Sequence, residues 1–216
     1  PGDVRPLVDR DAMVIDTRPW SKFAVGHIPG TINIPFNKSF TTWAGWLVPY
    51  DQDVYLILDD ACEDCLDAMV RDLAMIGLDR VAGVFGESAV EEVALAGHLD
   101  SVPQMSADEL VDRMARQDDL LVVDVRGRTE FDAGHLPGAR SIPLGYLTSR
   151  LDELPRDTTL VLQCQGGARS AIAASLLRAR GMRHIVNLSG GFNEWANGAH
   201  PVVREGLDVH TARRVA

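Results

Sequence analysis

The chain has 216 residues, 46% of them hydrophobic, which is enough for one large or two small cores. Its net charge of −10 and pI near 5.0 argue against nucleic acid or an anionic membrane surface as a partner. No apolar run approaches the roughly 20 residues that span a bilayer, and no signal-peptide pattern opens the chain.

The elements alternate between strand and helix, and they do so twice. Val14–Asp16 reads as a short buried strand, followed by "GHIPG" around His27. Residues 37–53, "NKSFTTWAGWLVPYDQD", place Trp43, Trp46 and Tyr50 three and four apart, which predicts one aromatic face on a short helix, used for packing. Val54–Leu58 and Val81–Val84 are further strands. Between them lies "DDACEDC", with four acids from Asp59 to Asp64 and the pair Cys62 and Cys65. Gly97–Met105 reads as a linker. Ser106 is a predicted N-cap, with Glu109 completing a capping box at the head of a helix over Ala107–Ala115.

From there the pattern repeats. "VIDTRPWSKFAVGHIPGTINIP" (14–35) aligns with "VVDVRGRTEFDAGHLPGARSIP" (122–143) at an offset of 108, and "LAMIGLDRVAGVFG" with "LRARGMRHIVNLSG" at 104. The first copy is therefore four residues longer in between. Leu120–Val123, Thr159–Gln163 and Ile185–Leu188 are the strands of the second copy, and Ala171–Arg180 is its main helix, closed by Gly181. Such alternation predicts an α/β fold, with a mainly parallel sheet flanked by helices in each of two domains, 1–100 and 101–216.

The chemistry concentrates where the strand ending at Gln163 meets the next helix. Cys164, Gln165, Gly166, Gly167, Ala168 and Arg169 form a tight loop before Ser170. Glycines allow positive φ and an inward-turned nest of N–H groups, and the helix adds the positive end of its dipole. With the Arg169 charge, these features favour a thiolate nucleophile at Cys164. A buried structural cysteine is the plainer reading; the glycine pair, arginine and helix start together outweigh it. The odd count of three cysteines makes no disulfide framework, so a reducing cytosol is expected.

Cysteine phosphatases separate their cysteine and arginine by five residues, whereas here four intervene, a smaller ring suited to a persulfide sulfur. At this point the chain resembles the rhodanese family of sulfurtransferases: "CQGGARS" matches its active loop, "DVRGRTEFDAGHLPGARSIP" its upstream motif and "LSGGFNEW" its closing Gly-Gly-x-x-x-Trp motif. The resemblance implies two rhodanese-like domains and a Cys164 persulfide as the carrier, with no bound cofactor and no metal. It also implies sulfur donors and thiol acceptors as small-molecule partners. The substrate-binding residues are then Gln165, Gly166, Gly167, Ala168, Arg169 and Ser170. Arg126 is a further candidate, although an ion pair with Asp124 explains it equally well and is preferred. His135 recurs as His27 in a copy without the cysteine, which marks it as a turn residue rather than a general base.

At the later offset Cys164 falls on Asp60 and Arg169 on Cys65, so the first copy resembles an inactive rhodanese, a scaffold or docking surface. Cys62 and Cys65 could be redox-active or half of a zinc site. With no second pair or nearby histidine, an incidental or structural pair is the preferred reading and a relay thiol the lesser one. The insert and degenerate loop also resemble the C-terminal half of metallo-β-lactamase-fold persulfide dioxygenases fused to tandem rhodanese domains. That implies a longer protein with such an N-terminal domain, for which the start at Pro1 is a further hint. The rival readings are a small-anion phosphatase or arsenate reductase, and a sulfur-sensing or docking module. No nucleic acid or membrane partner is expected.

Overall fold

A computed structural model of the chain describes residues 4–204; Pro1 and the tail from 205 lie outside them, as do the side chains of Glu63 and Asp64. The chain forms two compact units. One runs to Pro103 and takes in Ala174–Arg183; the other comprises Gln104–Ala173 and the chain from His184 onward.

In the first unit, α1 (Arg5–Val8) precedes β1 (Met13–Asp16), α2 (Trp20–Val25), β2 (Ile32–Asn33), α3 (Phe40–Leu47) and β3 (Val54–Ile57). A 3-10 segment, Asp60–Cys65, leads into α4 (Leu66–Met75), β4 (Val81–Phe85) and α5 (Ser88–Leu95). The strands pair in parallel in the order β2-β1-β3-β4. Val14, Ile28, Ile57, Val90 and Val93 share one buried cluster.

The second unit has β5 (Gln104–Met105), α6 (Ala107–Ala115), β6 (Leu120–Asp124), α7 (Arg128–Ala133) and β7 (Arg140–Ser141). A 3-10 stretch, Leu144–Glu153, then leads to β8 (Thr159–Gln163), α8 (Ala168–Ala179), whose residues from Ala174 belong to the first unit, β9 (Ile185–Leu188) and α9 (Gly191–Asn197). Its five parallel strands run β5-β9-β8-β6-β7, with Leu110, Val122, Leu136, Val161, Leu188 and Trp195 in one core cluster. Central parallel strands covered on both faces must be apolar throughout, which is why "LVLQ" and "LLVV" carry no alternation. The fold is two α/β domains with parallel sheets flanked by helices, as the repeat implies.

Local expectations fare unevenly. The capping box forms: Ser106 Oγ accepts from the Glu109 N–H at 3.2 Å, and the Glu109 carboxylate accepts from the Ser106 N–H at 2.8 Å. The aromatic face does not. Helix α3 packs through Phe40, Ala44 and Leu47, while Trp46 and Tyr50 are each 53% exposed. The stripe at i, i+4 and i+7 starts at Phe40, and Tyr50 lies beyond the helix end, where its hydroxyl donates to the Gly45 carbonyl.

Register also corrects the alignment of the two copies. Asp16 pairs with Ile57 and Asp124 with Gln163. The offset is 108 at β1 (124 − 16) but 106 at β3 (163 − 57), so Leu58, not Asp60, stands where Cys164 stands. Two of the four extra residues therefore precede β3 and two enter the loop after it.

Candidate active site

Cys164 is the first residue beyond β8, at the carboxyl edge of the parallel sheet, where open α/β sheets place their ligand sites. It is a free cysteine and only 1% exposed. The turn is shorter than the sequence suggests, because α8 starts at Ala168. Ala168 and Arg169 therefore belong to the helix's first turn rather than to the loop. Gly167 alone of the glycine pair takes a positive φ, +96°, and this directs its N–H onto Cys164 Sγ at 3.2 Å. Ser170 Oγ, one turn on, lies 3.5 Å from the sulfur and 3.1 Å from the Gly167 carbonyl oxygen, within reach of both. Gly166 is exposed, and a Cβ there would meet nothing closer than Asn193 Nδ2 at 3.8 Å.

The closing motif holds this turn from behind. The Phe192 N–H donates to the Cys164 carbonyl at 2.8 Å and the Asn193 N–H to the Gln165 carbonyl at 3.0 Å. So close an approach requires a glycine at 191: its φ is +57°, and a Cβ would sit 2.1 Å from the Cys164 oxygen. Trp195 anchors the motif, buried and donating from Nε1 to the Pro201 carbonyl at 2.8 Å.

Arg126 is enclosed at 1% exposure. Its Nε and Nη2 donate to the Asp124 carboxylate, Nη2 also to the Gly134 carbonyl, and Nη1 to Gln165 Oε1 at 3.1 Å. The guanidinium stacks 4.3 Å over the Phe192 ring. Gln165 in turn donates from Nε2 to Asn193 Oδ1. Arg126 thus meets the site through Gln165 and Phe192, as a brace, while Asp124 supplies its ion pair.

Arg169 has a partner that composition and motif did not disclose. Its Nη1 and Nη2 donate to the two oxygens of Glu130, each at 2.7 Å. That bond holds the Glu130 carboxyl below its usual range, against partial burial, and Glu130 in turn raises the Arg169 guanidinium. Cys164 adds a smaller push in the same direction on Arg169. The signal was in the repeat: at offset 108 Glu130 faces Lys22, so the copy that lost the arginine also inverted this charge.

His135 contributes to the turn. Its Nδ1 is 2.9 Å from the Phe131 carbonyl and its ring stacks on Phe131 at 3.7 Å; His27 repeats this on Phe23 at 3.8 Å.

After β3 the first copy has no equivalent device among the described residues. Asp59 accepts from the Ala61 N–H at 2.8 Å, and Lys22 Nζ bridges Asp59 at 3.0 Å and Glu87 at 2.8 Å. Cys62 and Cys65, read from the sequence as an incidental or structural pair, are joined by a disulfide. The 3-10 turn brings their Cα atoms to 5.2 Å, inside the range a disulfide spans. No helix among the described residues is long and apolar enough to cross a membrane.

Two parallel α/β domains, one with a cysteine–glycine turn at its sheet edge and an arginine in the helix that follows, define a tandem cysteine-loop protein. A family model described as "Rhodanese-like domain" matches residues 2–82 and 106–198, and the chain belongs to that family. It is 34% identical over 102 residues to a protein named sulfurtransferase from Allochromatium vinosum, covering 47% of this chain and 95% of that one. It is 46% identical over 74 residues to the uncharacterized protein YqhL of Bacillus subtilis, covering 34% of this chain and 59% of the relative. Among solved structures, thiosulfate sulfurtransferase from Pseudomonas aeruginosa covers 94% of this chain and 42% of its own length at 20% identity, with a TM-score of 0.44.

Proposed function

We propose that this rhodanese-family chain is a sulfurtransferase that moves sulfane sulfur from thiosulfate or a low-molecular-weight persulfide, through a Cys164 persulfide, to a thiol or cyanide. The observation that carries the reading is the convergence of the Gly167 N–H and the Ser170 hydroxyl on the sulfur of a free cysteine at the head of a 12-residue helix. The Cys164 thiolate attacks the sulfane sulfur of the donor. The donor's S–S bond breaks and sulfite, or a thiolate, leaves with the electron pair. The terminal sulfur of the resulting persulfide is an anion, and the same N–H, hydroxyl and helix dipole suit it. An acceptor nucleophile then takes that sulfur and the thiolate returns. Arg169, held in place by Glu130, attracts the anionic donor. By the same resemblance, an adjoining persulfide-oxidising domain would draw on the same persulfide pool.

The test is intact-mass measurement after exposure to thiosulfate, glutathione persulfide or neither, paired with turnover assays. The wild-type chain gains one sulfur atom and then passes it on; Cys164→Ser does neither. Hydrolysis of p-nitrophenyl phosphate or reduction of arsenate without sulfur loading would favour the small-anion reading. A stable persulfide that no acceptor discharges would favour sensing or docking.

A further inference from the structure

The first copy's loop has lost the anion turn but kept a built feature that sulfur transfer at Cys164 does not use. Beside β1 and β3 lies a cavity of about 370 Å³, lined by Trp20, Pro35, Phe36 and Met69, with Asp59 and Cys62 at its wall. It is of ligand-pocket size and largely apolar. Of the two disulfide cysteines, Cys62 lines it and Cys65 does not. Cys62 stands at the point where the 3-10 backbone breaks (φ −126°, ψ 39°). Cys65 is the N-cap residue of the ten-residue helix α4, at the positive end of the helix dipole, which favours a thiolate.

We propose that Cys62–Cys65 is a reversible thiol–disulfide couple, and that the cavity receives a thiol carried on an uncharged apolar peptide. The thiol's thiolate attacks Cys62 Sγ, the sulfur it meets in the cavity. The Cys62–Cys65 bond breaks and Cys65 departs with the electron pair as a thiolate at the helix N-terminus, the better-stabilised leaving group. A second thiolate attacks the incoming sulfur of the mixed disulfide and frees Cys62. In sum, two thiols are oxidised to one disulfide and the pair gains two electrons and two protons. The acidic loop sequence, with Asp59 at the cavity wall, disfavours anionic thiols such as glutathione relative to neutral ones.

The experiment uses the full chain in a Cys164→Ser background, so that only the pair can react and the outcome is independent of the sulfurtransferase reading. The probes are N-acetyl-Leu-Cys-Leu-amide, glutathione and 2-mercaptoethanol at equal thiol concentration, with the pair followed by differential alkylation and mass spectrometry. Reduction of the folded protein is expected, fastest per thiolate with the apolar peptide. With a further Cys65→Ser change, Cys62 should capture the activated peptide disulfide at least ten-fold faster than Cys65 does in the Cys62→Ser counterpart. Trp20→Ala should slow the apolar peptide several-fold and leave 2-mercaptoethanol unchanged. Reduction only in denaturant would make the bond a fixed cross-link and overturn the proposal. So would equal capture at the two sulfurs, or a Trp20→Ala effect that is the same for all probes.

Discussion

After β8 the chain turns through residues 164–167 and starts a helix; after β3 it takes residues 58–65 to do so. The short turn focuses one N–H, one hydroxyl and a helix end on a sulfur. The long one spends its length on a 3-10 segment and a disulfide, with acids held by Lys22. Loop length, with two extra residues before β3 and two after it, separates a turn that gathers donors on a sulfur from one that does not. The sharpest way to break this comparison is Cys164→Ser, expected to reduce sulfur transfer by on the order of 10³-fold or more, because serine is a far poorer nucleophile near neutral pH. The converse Leu58→Cys should gain no transfer, since Leu58 is followed by no glycine turn. Activity in the latter, measured with thiosulfate, would show that position on the sheet edge suffices.

The backing motif offers the next largest effect. Gly191→Ala forces a Cβ to 2.1 Å from the Cys164 carbonyl at a φ of +57°. The expected cost is about 3 kcal/mol in denaturant unfolding, with transfer activity lost alongside. Gly166→Ala, in the active loop itself, should change stability by less than about 0.5 kcal/mol. Equal effects from the two would mean that the loop's glycines, not its backing, fix the turn.

A third contrast lies in the two histidine turns. Burial lowers the His27 pKa to about 4, against the pull of its bond to the Phe23 carbonyl, so the folded first copy holds this imidazole neutral. In the unfolded chain it takes a proton near pH 6.5. The unfolded state thus binds more protons as pH falls from about 6.5 to 4, and stability declines across that window, by on the order of 3 kcal/mol at most. His27→Gln should flatten that part of the stability profile relative to wild type. An unchanged slope would locate the acid sensitivity in carboxylates instead.

What could be read from the sequence follows a physical line. Five of the six longer strands are mostly buried, and the edge strand β4, half-exposed, still carries an apolar run, so such runs mark all six to within a residue. The two-residue strands β2, β5 and β7 are fixed by neighbours rather than by their own side chains, and nothing local announces them. Cys164 and Gly167 were legible because a nucleophile and a positive φ restrict residue choice. The start of α8 was not, since Ala168 and Arg169 suit loop and helix alike. Glu130 was hidden because its role is a contact across 39 residues. The disulfide was hidden because two cysteines three apart bond only if the intervening turn allows it, and Leu58 was displaced by an alignment that placed four extra residues as one block.

The smallest expected effects test whether the arginine's charge reaches the donor. Arg169 faces both Cys164 and Glu130, so its field at the sulfur is partly cancelled by a carboxylate it holds at 2.7 Å through both nitrogens. Arg169→Ala removes the attraction for an anion and leaves Glu130 unpaired nearby. Thiosulfate kcat/KM should fall about ten-fold, and an uncharged persulfide donor should lose markedly less. Glu130→Gln keeps the side chain's size but leaves one acceptor oxygen where there were two, so one hydrogen bond to Arg169 is lost and its charge is released. Thiosulfate KM should then drop two- to three-fold, roughly the gain expected of one partly exposed charge, with little change for the uncharged donor, and added salt should erase the gain. The two substitutions therefore move thiosulfate in opposite directions. A parallel loss, equal for both donors, would mean that the Arg169–Glu130 pair only positions helix α8. In that case the inverted charge at Lys22 in the first copy would be a packing change, unrelated to the absence of a cysteine turn there.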